Sequence, residues 1–216
     1  MRFHNREHAA RLLAEKLVGY RGQHPLILAI PRGAVPMGKI IADALGGDLD
    51  VVLVHKLGAP DNPEFAIGSV DESGHLYLND HIYELGVDDH YIAREKQAQL
   101  KTLHTRRVQY TPVRPPLDPS GRIVIVVDNG IATGASMMAA LRAVRVKKPA
   151  KLIATVAVAP PEIIARMRKE ADEVVCLYTP ELFMAVGQFF DDFAQVTDEQ
   201  AIAILRQVHP TVGSKA

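Results

Sequence analysis

The residues with the most chemical potential cluster in two turns that each follow an apolar run. In IVIVVDNGIATGAS, residues 123–136, five β-branched residues lead into Asp128 and Asn129, then into a small, hydroxyl-bearing turn. A helix that starts near Ala135 offers unpaired N–H groups and a partial positive charge to that turn, which suits an anion such as phosphate. Gly130, Ala132, Gly134 and Ala135 keep the turn slim, and Thr133 and Ser136 add hydroxyl donors. The plain alternative is an ordinary strand–loop–helix with a capping hydroxyl. Two familiar phosphate motifs do not fit. A P-loop needs a longer glycine spacing and a lysine, and the G-x-G-x-x-G dinucleotide spacing is absent. The second turn, AIPRGAVPMG at residues 29–38, carries Arg32 beside Gly33. A guanidinium forks onto phosphate oxygens, and glycine lets the backbone approach a ligand closely. A simple Pro-Gly turn with an exposed arginine fits the same residues.

These turns need rigid elements to aim them, and the chain supplies an alternating pattern. Apolar spacing at Ala9, Leu12, Leu13 and Leu17 predicts a helix over 5–19 opened by Asn5. Short apolar runs predict strands at 26–30, 50–54, 122–127, 151–158 and 173–177, with helices at 35–45, 135–147, 161–170 and 198–207. Alternating strands and helices imply an α/β fold: an open, mostly parallel twisted sheet with helices on both faces. In such sheets ligands bind beyond the carboxyl ends of the strands. His55 and Lys56 are expected at the end of the second strand. Lys56 then either meets a ligand in the same crevice or is a solvated strand-end lysine.

Residues 57–110 interrupt the pattern. Glycines and prolines punctuate 57–87, with β-like runs at 65–70 and 75–78, followed by a polar helix at about 88–108 and a proline-rich connector. The reading is one domain, 1–216, with an insertion at about 57–110 and a C-terminal region at about 178–216. Glu64 reads as a surface charge, a charge partner or a proton carrier.

Composition narrows the function classes. Lys and Arg total 25 and so do Asp and Glu, which argues against broad attraction to nucleic acid or membrane. Cys176, the single cysteine, lies in an apolar run and reads as a structural thiol. The N-terminus is too polar for a signal peptide and there is no 18-residue apolar stretch, so the expected location is the cytoplasm. The nine histidines show no zinc spacing, and no G-x-S-x-G elbow occurs.

The 123–136 stretch resembles the phosphoribosyl diphosphate (PRPP) motif of type I phosphoribosyltransferases: a buried strand, two acids, then a small loop ending T-G-x-[ST]. The stretch KLGAP-NPE-AIG further resembles an uncharacterised subfamily of predicted phosphoribosyltransferases. The resemblance implies Mg²⁺-dependent transfer of a 5-phosphoribosyl group from PRPP to a nitrogen acceptor, a nucleobase among the options, with release of pyrophosphate. It places Asp128 and Asn129 on the ribose hydroxyls and wraps Gly130, Ile131, Ala132, Thr133, Gly134, Ala135 and Ser136 around the 5-phosphate. It gives Arg32, Gly33 and Lys56 to the pyrophosphate, with Asp128, Arg32 and Lys56 as the catalytic set. It implies a cis peptide at Pro31–Arg32, a flap at 57–87, a homodimer, and a hood in which Phe183 or Phe189 stacks on the acceptor and Asp191 reads its edge. Solvated acids and core aromatics fit that last segment equally. Two residues depart from the family pattern. Asn129 stands where an acid is usual, and Ala132 has no capacity for proton chemistry. The departures keep a second class open, a non-catalytic PRPP or nucleotide-binding regulator.

Overall fold

A computed structural model describes residues 1–78, 82, 86–110 and 116–207, with Pro63 and Glu64 described by backbone alone. The roles offered for the Glu64 side chain, and Pro112 and Pro115 of the connector, lie outside the described residues. Five parallel strands form the main sheet: β1 (Leu26–Ala29), β2 (Asp48–Val51), β6 (Ile123–Gly130), β7 (Lys151–Val158) and β8 (Glu173–Tyr178). Their order across the sheet is β2-β1-β6-β7-β8. Alternation along β6 sorts its side chains between two cores. Ile125 and Val127 face the side covered by α1 (Arg6–Lys16) and α2 (Val35–Leu45). Val124 and Val126 face α4 (Ala135–Val146) and α5 (Pro161–Glu170). Burial on both faces explains why these strands read as continuous apolar runs.

The helix ends follow local chemistry. The Asn5 side chain accepts the His8 N–H at 2.9 Å and caps α1. Gly46 closes α2 in the left-handed region at φ 67°, a conformation glycine adopts without steric cost. Thr197 and Gln200 form a reciprocal capping box that opens α6 (Asp198–Arg206).

Two strand assignments shift. The strand expected at 50–54 runs Asp48–Val51. Its acids are buried but satisfied: Asp48 Oδ2 pairs with Arg122 at 2.7 Å, and Asp50 accepts the Val51 and Leu117 N–H groups at 2.7 and 2.8 Å. Paired acids are tolerated inside a sheet, so the polar start disguises the strand. The chain then enters a second, antiparallel sheet of β3 (Val54–Ala59), β4 (Asn62–Asp71) and β5 (Leu76–Leu78). His55 and Lys56 therefore belong to β3, not to the carboxyl edge of the parallel sheet. The polar helix α3 (Asp89–Tyr110) packs on this small sheet and reaches α6.

Polar contacts strap the amino-terminal edge of the parallel sheet. Besides Arg122–Asp48, Lys151 at the start of β7 meets Glu173 at the start of β8 at 2.8 Å. The Tyr20 hydroxyl bridges the same two side chains, accepting from Lys151 Nζ at 2.5 Å and donating to Glu173. Arg145 pairs with Asp172 just before β8 at 2.9 Å. Among the described residues no helix is long and apolar enough to cross a membrane.

At the opposite edge, a 3-10 turn at Val186–Phe189 closes over the end of β6. It fits because Gly130 has no side chain: a Cβ there would lie 2.7 Å from both Val158 Cγ1 and Val186 Cγ1. Gly130→Ala is expected to lower unfolding free energy by about 1–3 kcal/mol through overpacking, and to speed amide exchange across Val186–Phe189. Unchanged exchange in that segment would show that this contact does not hold the hood down.

Candidate functional site

Parallel pairing of β1 with β6 sets the geometry. Residues Leu26 to Ala29 pair with Val124 to Val127, and the Ile30 N–H bonds the Val127 carbonyl at 3.0 Å. Both strands thus deliver their loops side by side. The Pro31–Arg32 peptide is cis, as the resemblance implied. Gly33 then lies directly against Asn129: a Cβ on Gly33 would stand 2.2 Å from Asn129 Nδ2. The Arg32 turn thus meets the Asn129 side chain at the end of β6, and a side chain at Gly33 would require that amide to shift.

β6 runs further than the sequence indicated. Pairing continues through Asp128–Val156 and Gly130–Val158, so Asp128 and Asn129 sit inside the last part of the strand instead of following it. The Ile131 N–H bonds the Val158 carbonyl at 2.9 Å and anchors the loop floor. The loop rises through exposed Ala132 and Thr133 to Gly134, at φ 81°, where a Cβ would stand 3.3 Å from Ile163 Cγ2. α4 begins at Ala135, so the N–H groups of its first turn open onto the loop, beside the exposed Ser136. Arg166 on α5 donates to the Thr133 carbonyl at 3.1 Å and pins the loop from outside.

The polar pair at the strand end is electrostatically unsettled. Burial pushes the Asp128 carboxyl up to about 7, and the Asn129 N–H that it accepts at 2.7 Å offsets this only in part. Asn129 is buried, and its Oδ1 has no hydrogen-bond partner. Buried polar atoms normally find partners. The unpartnered Asn129 Oδ1, beside a carboxyl whose pKa burial raises, can take a donor from a ligand.

Arg32 is half-exposed and shares its charge with a residue the sequence did not suggest. Its Nη1 donates to Asp198 Oδ2 at 3.3 Å, at the first residue of α6. Tyr110, the buried last residue of α3, donates its hydroxyl to Asp198 Oδ1 at 3.3 Å. Burial, with Asp198 adding to it, pushes the Tyr110 phenol up to about 12, so it remains a donor at neutral pH. Lys56 reaches the loop from the small sheet: it lines a cavity of about 410 Å³ with Phe65, Tyr77, Thr133, Ala135 and Arg142.

The hood residues have intramolecular partners. Phe183 packs against Phe189 at 5.3 Å between ring centres. Asp191 is held by Arg2 at 2.9 Å and His4 at 3.3 Å. The bridge between Phe3 and Phe190 docks the N-terminal segment under the hood and brings Arg2 and His4 to Asp191. Cys176 is half-buried, donates to the Tyr178 carbonyl at 3.2 Å, and has its thiol pKa raised by burial, in keeping with a structural role. No grouping of three or more His, Cys, Asp or Glu suited to a metal occurs among the described residues.

Comparison with known proteins identifies the family. The chain is 38% identical over 208 residues to the Mycobacterium tuberculosis protein named "Putative phosphoribosyl transferase", found in two strains. The match covers 96% of this chain and 47% of that protein, so the chain spans about half the length of the curated relatives it matches. The crystal structure of TT1426 from Thermus thermophilus superposes with a TM-score of 0.86 at 46% identity, covering 95% of this chain and 98% of that one. The family profile described as "Phosphoribosyl transferase domain" matches residues 3–192. With the whole parallel sheet and both ligand-edge turns inside that match, the chain belongs to the phosphoribosyl transferase domain family.

Proposed function

We propose that the chain transfers a 5-phosphoribosyl group from PRPP to a nitrogen acceptor and releases pyrophosphate. The observation that carries this reading is the contact of Gly33 with Asn129, which sets an arginine-bearing turn beside a phosphate-type loop. PRPP has an anion at each end of a ribose. The first turn of α4 and the loop 131–136 suit the 5-phosphate. Arg32 suits the pyrophosphate, and Asp128 with Asn129 suits the hydroxyls between them.

The chemistry asks for two kinds of stabilisation. Breaking the bond from C1 to the pyrophosphate oxygen builds negative charge on the leaving group and positive charge on the ribose. Arg32 addresses the first by bidentate donation. An ionised Asp128 addresses the second through space, and Asn129 Oδ1 accepts a hydroxyl proton without adding charge. Mg²⁺ fits this arrangement, because it binds few protein oxygens and keeps water and phosphate ligands. Asp128 and Asn129 are the residues that would face it, by way of the ribose hydroxyls. When bound, the ion supplies neutralisation of pyrophosphate charge. The small sheet with α3 is the segment we assign to exclude water, with Lys56 as its cation nearest the loop. Ala132 offers no proton, so a base at that position takes no part. Acceptor recognition falls to the hood, where Phe183 lies between the exposed Leu182 and Met184. The neutral amide of Asn129 supports a second reading, in which PRPP is bound and sensed without transfer.

Calorimetry with PRPP and Mg²⁺, followed by a panel of bases monitored for pyrophosphate, tests the reading. Saturable, Mg²⁺-dependent binding with base-dependent pyrophosphate release is the expected result. Absence of PRPP binding would sink the proposal, and binding without release under any base would favour the sensor. Once an acceptor is known, Asp128→Ala and Arg32→Ala should each reduce turnover at least about tenfold, since one such group is worth up to about a hundredfold.

The raised Asp128 pKa gives two pH dependences with the sign set by linkage. Folding holds a proton on Asp128 that the unfolded chain releases near pH 4, so stability falls as pH rises from about 4 through about 7. Urea unfolding across that range should show wild type losing stability relative to Asp128→Asn, and parallel curves would contradict the shift. PRPP–Mg²⁺ binding should favour the ionised carboxylate, so affinity should climb across pH 7 more steeply in wild type than in Asp128→Asn.

A further inference from the structure

Arg32 does not stand alone at the ligand edge, and the residue it leans on comes from the far end of the described chain. Asp198 is the first residue of α6, whose start is fixed by the Thr197–Gln200 capping box with bonds of 3.2 and 2.9 Å. A carboxylate in the first turn of a helix is favoured by the helix dipole. Ala201 and Leu205 bury the next turns of α6, and α6 packs on α2, the helix that follows the Arg32 turn. From the other side the Tyr110 hydroxyl holds Asp198 Oδ1 at 3.3 Å. That leaves Oδ2 to receive Arg32 Nη1 at 3.3 Å.

We propose that Asp198, braced by Tyr110, is the positioning residue that aims Arg32 at the pyrophosphate. The inference rests on the PRPP reading and adds to it a residue that does not touch the ligand. The contact uses one terminal nitrogen of the guanidinium, so the fork's remaining N–H groups stay available to phosphate oxygens. An arginine on a turn loses side-chain rotamer freedom when it binds an anion. Asp198 removes part of that freedom before the ligand arrives, which is preorganisation. The pair is half-exposed, so its effect is modest and specific to whatever Arg32 binds. Tyr110 also makes the insertion a participant, because the last residue of α3 fixes the carboxylate that fixes Arg32.

Two probes separate positioning from general damage. Inorganic pyrophosphate reports on the Arg32 turn, and ribose 5-phosphate reports on the loop 131–136. By calorimetry, Asp198→Ala should weaken pyrophosphate about threefold to tenfold and leave ribose 5-phosphate within about twofold. Asp198→Glu should recover part of the loss, and Tyr110→Phe should show a smaller loss of the same sign. In an Arg32→Ala background, Asp198→Ala should have no further effect on pyrophosphate. Unchanged or tighter pyrophosphate binding in Asp198→Ala would overturn the proposal. So would equal weakening of both probes, or an undiminished effect without Arg32. Wild-type protein that binds neither probe would overturn the underlying PRPP reading, and this role with it.

Discussion

The ligand edge depends on how closely β1 and β6 bring their loops together. Parallel pairing fixes the spacing of the strands, but the loops touch only because Gly33 presents bare backbone to the Asn129 amide. A side chain at Gly33 would collide with that amide and force it, or the turn, to shift. Arg32 in turn carries the link to α6, and through Tyr110 to the insertion. The close approach at Gly33 and the Arg32–Asp198–Tyr110 contacts thus link the end of β6, the Arg32 turn, α6 and α3.

The buried acids of the two sheets contrast with the polar pair at the end of β6. Asp48, Asp50 and Asp71 are buried and well supplied: Asp71 accepts the His75 N–H at 2.9 Å and the Tyr77 hydroxyl at 3.1 Å. Asp128 and Asn129 are treated differently. One is held near neutrality by burial, and the other keeps an unpartnered oxygen. Structural acids in this fold are neutralised by the fold itself. A strand end left short of donors is what a binding site looks like before its ligand is present.

Much of this is legible in the sequence, and the failures have physical causes. The 123–136 stretch declares itself because a buried strand, a tight loop and a helix start each have strong local signatures. The strand at Asp48–Val51 begins two residues before its expected start, because its acids look exposed until Arg122 and the Leu117 N–H are known to pair with them. Lys56 reads as a residue of the parallel sheet, since nothing local reveals that Val52 and Leu53 carry the chain from one sheet to another. Asp198 and Tyr110 are invisible for a deeper reason. Asp198 stands 166 positions from Arg32, and a capped helix start with an acid in its first turn reads as ordinary helix chemistry. The Asp191 reading leans on order along the chain, whereas the docked N-terminal segment supplies Arg2 and His4 from elsewhere.

The strapped amino-terminal edge of the sheet has a consequence for how such a protein can change. Arg122–Asp48 and Lys151–Glu173 with Tyr20 join strand beginnings, and Arg145–Asp172 ties the end of α4 to the start of β8, at the end of the sheet opposite the two turns. These ion pairs thus gather at one rim, and the two turns proposed to bind the ligand lie at the other. Exchanges of exposed residues at the other rim leave these ion pairs untouched, whereas the close-packed Gly33 and Gly130 there are themselves constrained. On the proposed reading, exposed residues such as Leu182 and Met184 are where a change of acceptor would leave the ion-paired edge undisturbed.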